Sequence, residues 1–127
     1  MQSQQLFEYA VIRIVPRVER EEFMNVGVIL YCAKAKFLQA RILFNEDRLT
    51  IFCGSLDIPA VSANLAALER ISQGLPNAGP IGKLDLASRF RWLTATRSTV
   101  VQTSRVHPGF CTDPAETLAR LFAQLVL

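Results

Sequence analysis

Between Tyr9 and Phe44 three successive stretches, YAVIRIVPR, MNVGVILYC and FLQARILF, alternate their apolar side chains with a period of two. That period belongs to a β-strand, whose side chains point by turns to opposite faces of a sheet. In the first stretch Ala10, Ile12, Ile14 and Pro16 share one face, while Tyr9, Val11, Arg13, Val15 and Arg17 share the other. In the second, Met24, Val26, Val28, Leu30 and Cys32 oppose Asn25, Gly27, Ile29 and Tyr31. In the third, Leu38, Ala40, Ile42 and Phe44 oppose Phe37, Gln39, Arg41 and Leu43. If the apolar sets share a core face, Arg13, Arg17, Asn25 and Arg41 project together from the opposite one.

The connections between these strands are too short for a parallel crossover, which needs a dozen or more residues. Antiparallel neighbours follow, with Ala33 to Lys36 as a hairpin turn and the charged stretch Val18 to Phe23 able to hold one helical turn. Pro16 has no N–H to give a ladder, so it belongs at a strand end or an edge.

Helical spacing takes over after the sheet. Asn45 caps a short helix that runs to about Phe52 and is closed by Gly54. Asp57 caps a second, with Pro59 in its first turn and Val61, Leu65, Leu68, Ile71 and Leu75 on the face toward the sheet. The glycine- and proline-rich run GLPNAGPIG, Gly74 to Gly82, is a loop. Its Gly79-Pro80-Ile81-Gly82-Lys83 is no phosphate loop, because Asn77 stands where the first glycine belongs and Leu84 where a hydroxyl must follow the lysine. Asp85 opens a third helix, LASRFRWLT, with Leu86, Phe90 and Leu93 inward and Arg89 and Trp92 near the margins. A fourth strand is predicted over Thr99 to Thr103 and a loop over Arg105 to Phe110. Asp113, Pro114 and Glu116 form a capping box for a last helix that buries Leu118, Leu121, Phe122 and Leu125.

At 127 residues the chain suits one domain, 1–127, with a core that needs no staples. The fold class expected is α+β: an antiparallel or mixed sheet of about four strands, two or three helices packed on one face and the terminal helix alongside. The start of the chain lacks the pattern of a signal peptide and no apolar run is long enough to span a membrane, so the expected location is cytoplasmic. Cys32, Cys53 and Cys111 are too few and too far apart for a disulfide framework or a zinc knuckle. No metal site and no cofactor are expected. His107, the single histidine, with Cys111 as a nucleophile is a weak candidate that lacks a third orienting group.

Charge is concentrated. Lys83 to Arg105 holds five basic residues and one acidic residue, a net of +4 on a chain whose total is +3. A basic segment on a near-neutral body favours an anionic ligand or nucleic acid. The binding residues nominated are Arg13, Arg17, Asn25 and Arg41 on the sheet, with Arg91, Thr96, Arg97 and Ser98 after it. Arginine forks grip carboxylate or phosphate bidentately, and a hydroxyl-rich turn beside an arginine can form an anion nest. The plainer reading is that each arginine pairs with a nearby acid such as Glu19, Glu21, Glu22 or Asp47, and that the hydroxyls bond their own backbone. Phe90, Trp92 and Phe110 lie close enough to the basic segment to stack on bases.

The phrase YAVIRIVPRVEREEFMNVGVIL, then RFRWLTATRSTVVQTSRVHPGF, then a closing D-P-x-E-x-L-x-R-L-F helix resembles the bacterial domain-of-unknown-function family DUF3037 over nearly the whole chain. That resemblance carries no assigned chemistry. Members of the family can be encoded beside kinase-like proteins similar to the toxin of a persistence toxin–antitoxin pair, so it implies a kinase-like protein partner. With no acid–base or nucleophile constellation in the sequence, the expected function is a non-catalytic interaction module with an arginine-lined anion-binding surface. A nucleic-acid or nucleotide-binding domain is the alternative. An enzyme acting on a phosphorylated or carboxylated substrate comes third.

Overall fold

A computed structural model describes residues 3–17, 20–97 and 99–127. Its centre is β1 (Gln5–Ile14), which pairs antiparallel with β2 (Met24–Cys32) along one edge. Its other edge takes two short antiparallel strands in succession, β4 (Val101–Thr103) against Ile12–Ile14 and β5 (His107–Cys111) against Gln5–Tyr9. β3 (Phe37–Ile42) lies outside β2, so the order is β3-β2-β1-β4 with β5 also on β1. The α+β class and the antiparallel sheet match expectation.

Where β4 gives way to β5 the ladder is bridged by a side chain. The buried Ser104 accepts from the Val11 N–H through its hydroxyl at 2.8 Å, and its own N–H donates to the Val11 carbonyl at 2.8 Å. Both backbone groups of a central strand are thereby satisfied without a regular partner.

Apolar residues occupy both faces of the sheet. On one face Ala10, Ile12, Ile14, Ile29 and Ala40 pack under α1 (Glu46–Phe52), α2 (Ile58–Gln73) and α3 (Leu86–Leu93) through Leu49, Val61, Leu65, Leu68, Ile71, Phe90 and Leu93. On the other, Phe7, Val28, Leu30 and Cys32 meet Leu118, Leu121 and Phe122 of α4 (Pro114–Leu125). The terminal helix therefore roofs a second core. A β-bulge explains how one strand feeds both: pairing shifts between Ile12 and Arg13, so that Ile12 faces Gly27 and Arg13 faces Asn25, leaving Val26 as the extra residue. The second-strand set read as one apolar face is divided there. Met24 and Val26 join the α1–α3 core while Val28, Leu30 and Cys32 join the α4 core.

The helix starts follow local chemistry. Asn45, Asp57, Asp85 and Asp113 each accept a backbone N–H in the first turn of α1, α2, α3 and α4. α2 stops at Gln73, two residues short of the expected Leu75, because Gly74 takes the left-handed conformation at φ 66°. Two 3₁₀ turns, Pro76–Ala78 and Ile81–Lys83, order the loop that follows. β5 replaces an expected loop. Pro108 needs no ladder donor on an outer strand, and Gly109 leaves room for the Phe7 ring, which would lie 2.6 Å from any added Cβ. The helical turn expected over Val18 to Phe23 falls partly on Val18 and Glu19, outside the described residues.

Candidate interaction surface

The nominated side chains are divided between the two faces of the sheet. Arg13 faces Asn25 across β2, and Arg41 lies on the same side in β3, so these three do share a face. That face is the one under α4, and aromatic rings partly cover the cations. The Arg13 guanidinium sits 4.1 Å over the Phe23 ring and that of Arg41 5.0 Å over Phe122. Asn25 donates through Nδ2 to the Leu125 carbonyl at 3.1 Å, which ties the sheet to the end of α4. Arg13 Nε and Asn25 Oδ1 are buried without hydrogen-bond partners. Arg17 is exposed and lines a cleft of about 160 Å³ with Pro16, Arg20, Glu22, Phe52 and Cys53. In that cleft the Ser55 hydroxyl, and then its backbone, holds the Cys53 thiol below its usual pKa.

Arg91 is neutralised from afar. It forms a two-pronged ion pair with Glu8 of β1 at 2.5 and 3.0 Å, on the α1–α3 side of the sheet. The hydrogen bonds it donates to Glu8 raise the guanidinium further above its usual pKa. The partner is not one of the local acids that the sequence suggested. Thr96 is exposed in the turn after α3, and Ser98 lies outside the described residues.

Arg97 is placed differently. It donates to the carbonyls of Trp92 and Leu93, at 3.5 Å for the latter, and lies 4.2 Å over the Trp92 ring. The carbonyls at a helix end carry partial negative charge, so they orient the cation while leaving it a cation. Beside it runs a groove of about 230 Å³, walled by Leu68 and Ile71 of α2, Trp92 and Leu93 of α3 and Val101 of β4. Trp92 is 41% exposed. Among the described residues the ion pairs are Arg20–Glu22 and Arg91–Glu8, and neither touches this groove.

The match of residues 9–126 to the sequence model described as protein of unknown function (DUF3037) covers every element of both cores except the first half of β1. The chain belongs to that family. No curated protein and no solved structure matches it. The DUF3037 fold seen here also disposes of two weaker candidates. His107 and Cys111 stand at opposite ends of β5, about 13 Å apart at strand rise, too far for a base and its nucleophile. Burial moreover raises the Cys111 thiol pKa. Phe90 is 0% exposed and packs 5.3 Å from Tyr31, so it cannot stack on a base. Among the described residues no cluster of three or more metal-ligating side chains occurs.

In the sequence Trp92 reads as an aromatic platform and Arg97 as a separate cation. Their spacing of five residues across the end of a helix was the available signal, since a chain turning back there brings the second over the first.

Proposed function

We propose that this DUF3037 domain is a non-catalytic interaction module that binds a protein partner, and an anionic group on it, through the arginine-bearing surface at the end of α3. The observation that carries the reading is Arg97 held over the exposed Trp92 beside an apolar groove. Tryptophan and arginine are the residues over-represented where protein interfaces concentrate their binding energy. A kinase-like protein, the partner implied by family resemblance, is the first to test. The experiment is capture from native lysate with three baits: the wild type, a Trp92→Ala/Arg97→Ala variant and an Arg13→Ala/Arg41→Ala variant. Recovery should be lost with the first variant and kept with the second. Equal recoveries from all three would overturn the reading.

The alternative, nucleic-acid binding, is favoured by the same stacked pair within a segment of net +4. It requires binding that weakens steeply with salt as phosphate contacts release counterions. Absence of any oligonucleotide shift at low salt would remove it.

A further inference from the structure

Granting that the domain is an interaction module, the groove itself narrows the partner. We infer that it seats a short segment of a partner protein in which one large apolar side chain stands next to a carboxylate. The apolar side chain fills the groove and Arg97 takes the carboxylate.

Size argues for a side chain. Pockets that hold drug-sized molecules or cofactors enclose roughly 300–1,000 Å³, and the groove's 230 Å³ lies below that range. Leu68, Ile71, Leu93, Val101 and the Trp92 ring supply most of its wall, with Asn64, Arg97 and Thr99 as the polar groups, an apolar seat with polar side chains beside it. A smaller cleft continues along β4, sharing Leu68, Leu93, Arg97 and Val101 and reaching Thr103. Thr103 Oγ1 is buried there without a hydrogen-bond partner. At about 20 Å³ the cleft admits one small polar group at most, and such a group on the bound segment would supply that partner.

Charge argues for a single carboxylate. The +4 segment is depleted in space, because Arg91 is paired with Glu8 and Arg89 is buried. Arg97 is the cation left at the groove wall. Two carbonyls and the Trp92 ring already fix its guanidinium plane, so little side-chain freedom remains to be lost when an anion docks. A nucleic-acid strand needs a line of cations tracking its phosphates and successive aromatic platforms. One arginine and one exposed indole, itself covered on one side by that arginine, fit a peptide better.

The test is selection of a displayed random heptapeptide library on the full chain, followed by titration of the most enriched peptide. Trp92 is the only tryptophan, so its emission reports occupancy directly. The enriched peptides should carry Phe, Leu, Met or Trp within two positions of Asp or Glu. The titrated peptide should bind about tenfold more weakly to Arg97→Gln, the effect of losing a charge-assisted hydrogen bond. An amide analogue of its acid should lose as much on the wild type. Ala67→Phe, which fills the groove from its α2 wall, should abolish binding while leaving the circular dichroism unchanged. No enrichment, an enriched motif without an acid, or affinity indifferent to both variants would overturn the inference, as would tighter binding of dT10 than of any peptide. If lysate capture still needs Trp92 and Arg97 while no peptide binds, this occupant is wrong and the interaction reading stands. If capture needs neither, both fall.

Discussion

Two arginines close the C-termini of two helices, and the chain uses them in opposite ways. Arg89, on α3, sends Nη1 to the Ile71 and Ser72 carbonyls of α2, at 3.1 Å each, from a buried position. Arg97 sends its guanidinium to the Trp92 and Leu93 carbonyls of α3 from the edge of an open groove. Both exploit the negative end of a helix dipole. Around Arg89 the structure is sealed: Gly74 approaches so closely that an added Cβ would lie 2.5 Å from Nη1. Around Arg97 one face is left to solvent and an indole. The same local chemistry thus yields a lock in one place and a presented cation in the other, and the difference is made by what covers the guanidinium.

The largest expected effect lies at the lock. Arg89→Ala removes two hydrogen bonds, leaves the last carbonyls of α2 buried and opens a cavity, together about 3 kcal/mol. For a domain of this size that lowers Tm by roughly 10 °C. Gly74→Ala should follow at about 2 kcal/mol, because the positive φ disfavours any Cβ and the added methyl displaces the guanidinium. Thermal unfolding measures both. A loss under 1 kcal/mol for Arg89→Ala would mean that water replaces the arginine, and the contrast with Arg97 would collapse.

That contrast was only half legible in the sequence. The four helix caps could be read because capping is settled within four residues, and Asn45, Asp57, Asp85 and Asp113 all act as expected. Arg89 looked like a marginal position on a helical wheel; its burial depends on Gly74, fifteen residues earlier, folding against it. The Arg91–Glu8 pair joins residues 83 apart, beyond the reach of any local pattern. Strict alternation likewise misassigned Met24 and Val26 relative to Val28, because a single bulge reverses which face a strand presents. β5 was hidden by Pro108 and Gly109, whose ordinary meaning is a loop, and which are tolerated on an outer strand stacked against Phe7. The exposed pair formed across β1 and β5 by Leu6 and Phe110, 52% and 66% exposed, became visible only with that strand.

At the presented cation the expected effect on stability is small. Arg97→Ala gives up carbonyl contacts at a solvent-facing helix end and one exposed cation–π contact, together about 1 kcal/mol. Measured beside Arg89→Ala under the same conditions, it should fall near a third of that loss, while peptide binding should weaken at least the roughly tenfold expected of Arg97→Gln. A stability loss equal to that of Arg89→Ala would make Arg97 a second lock and take the groove's cation out of consideration.

The smallest effect tests the helix that joins the two sites. Asp85 caps α3 one turn before Arg89, and α3 ends in the carbonyls that hold Arg97. The Ser88 hydroxyl, then the Ser88 N–H, and more weakly the charge on Arg89 hold its carboxyl below the usual pKa. A carboxyl lowered on folding binds fewer protons in the native state than in the unfolded chain. Its contribution is therefore complete above the unfolded value of about 3.9 and is lost as pH falls through the native one. Asp85→Asn keeps an acceptor for the Ser88 N–H and removes only the charge. The wild type should exceed the variant by a constant margin near neutrality, and the two stability curves should converge in acid below that range. Curves that stay parallel down to the lowest pH at which the fold survives would show that the cap acts through its hydrogen bond alone. Convergence accompanied by a change in Trp92 emission would show that loosening the first turn of α3 is felt at Arg97, so that the lock and the presented cation share one helix in energy as well as in sequence.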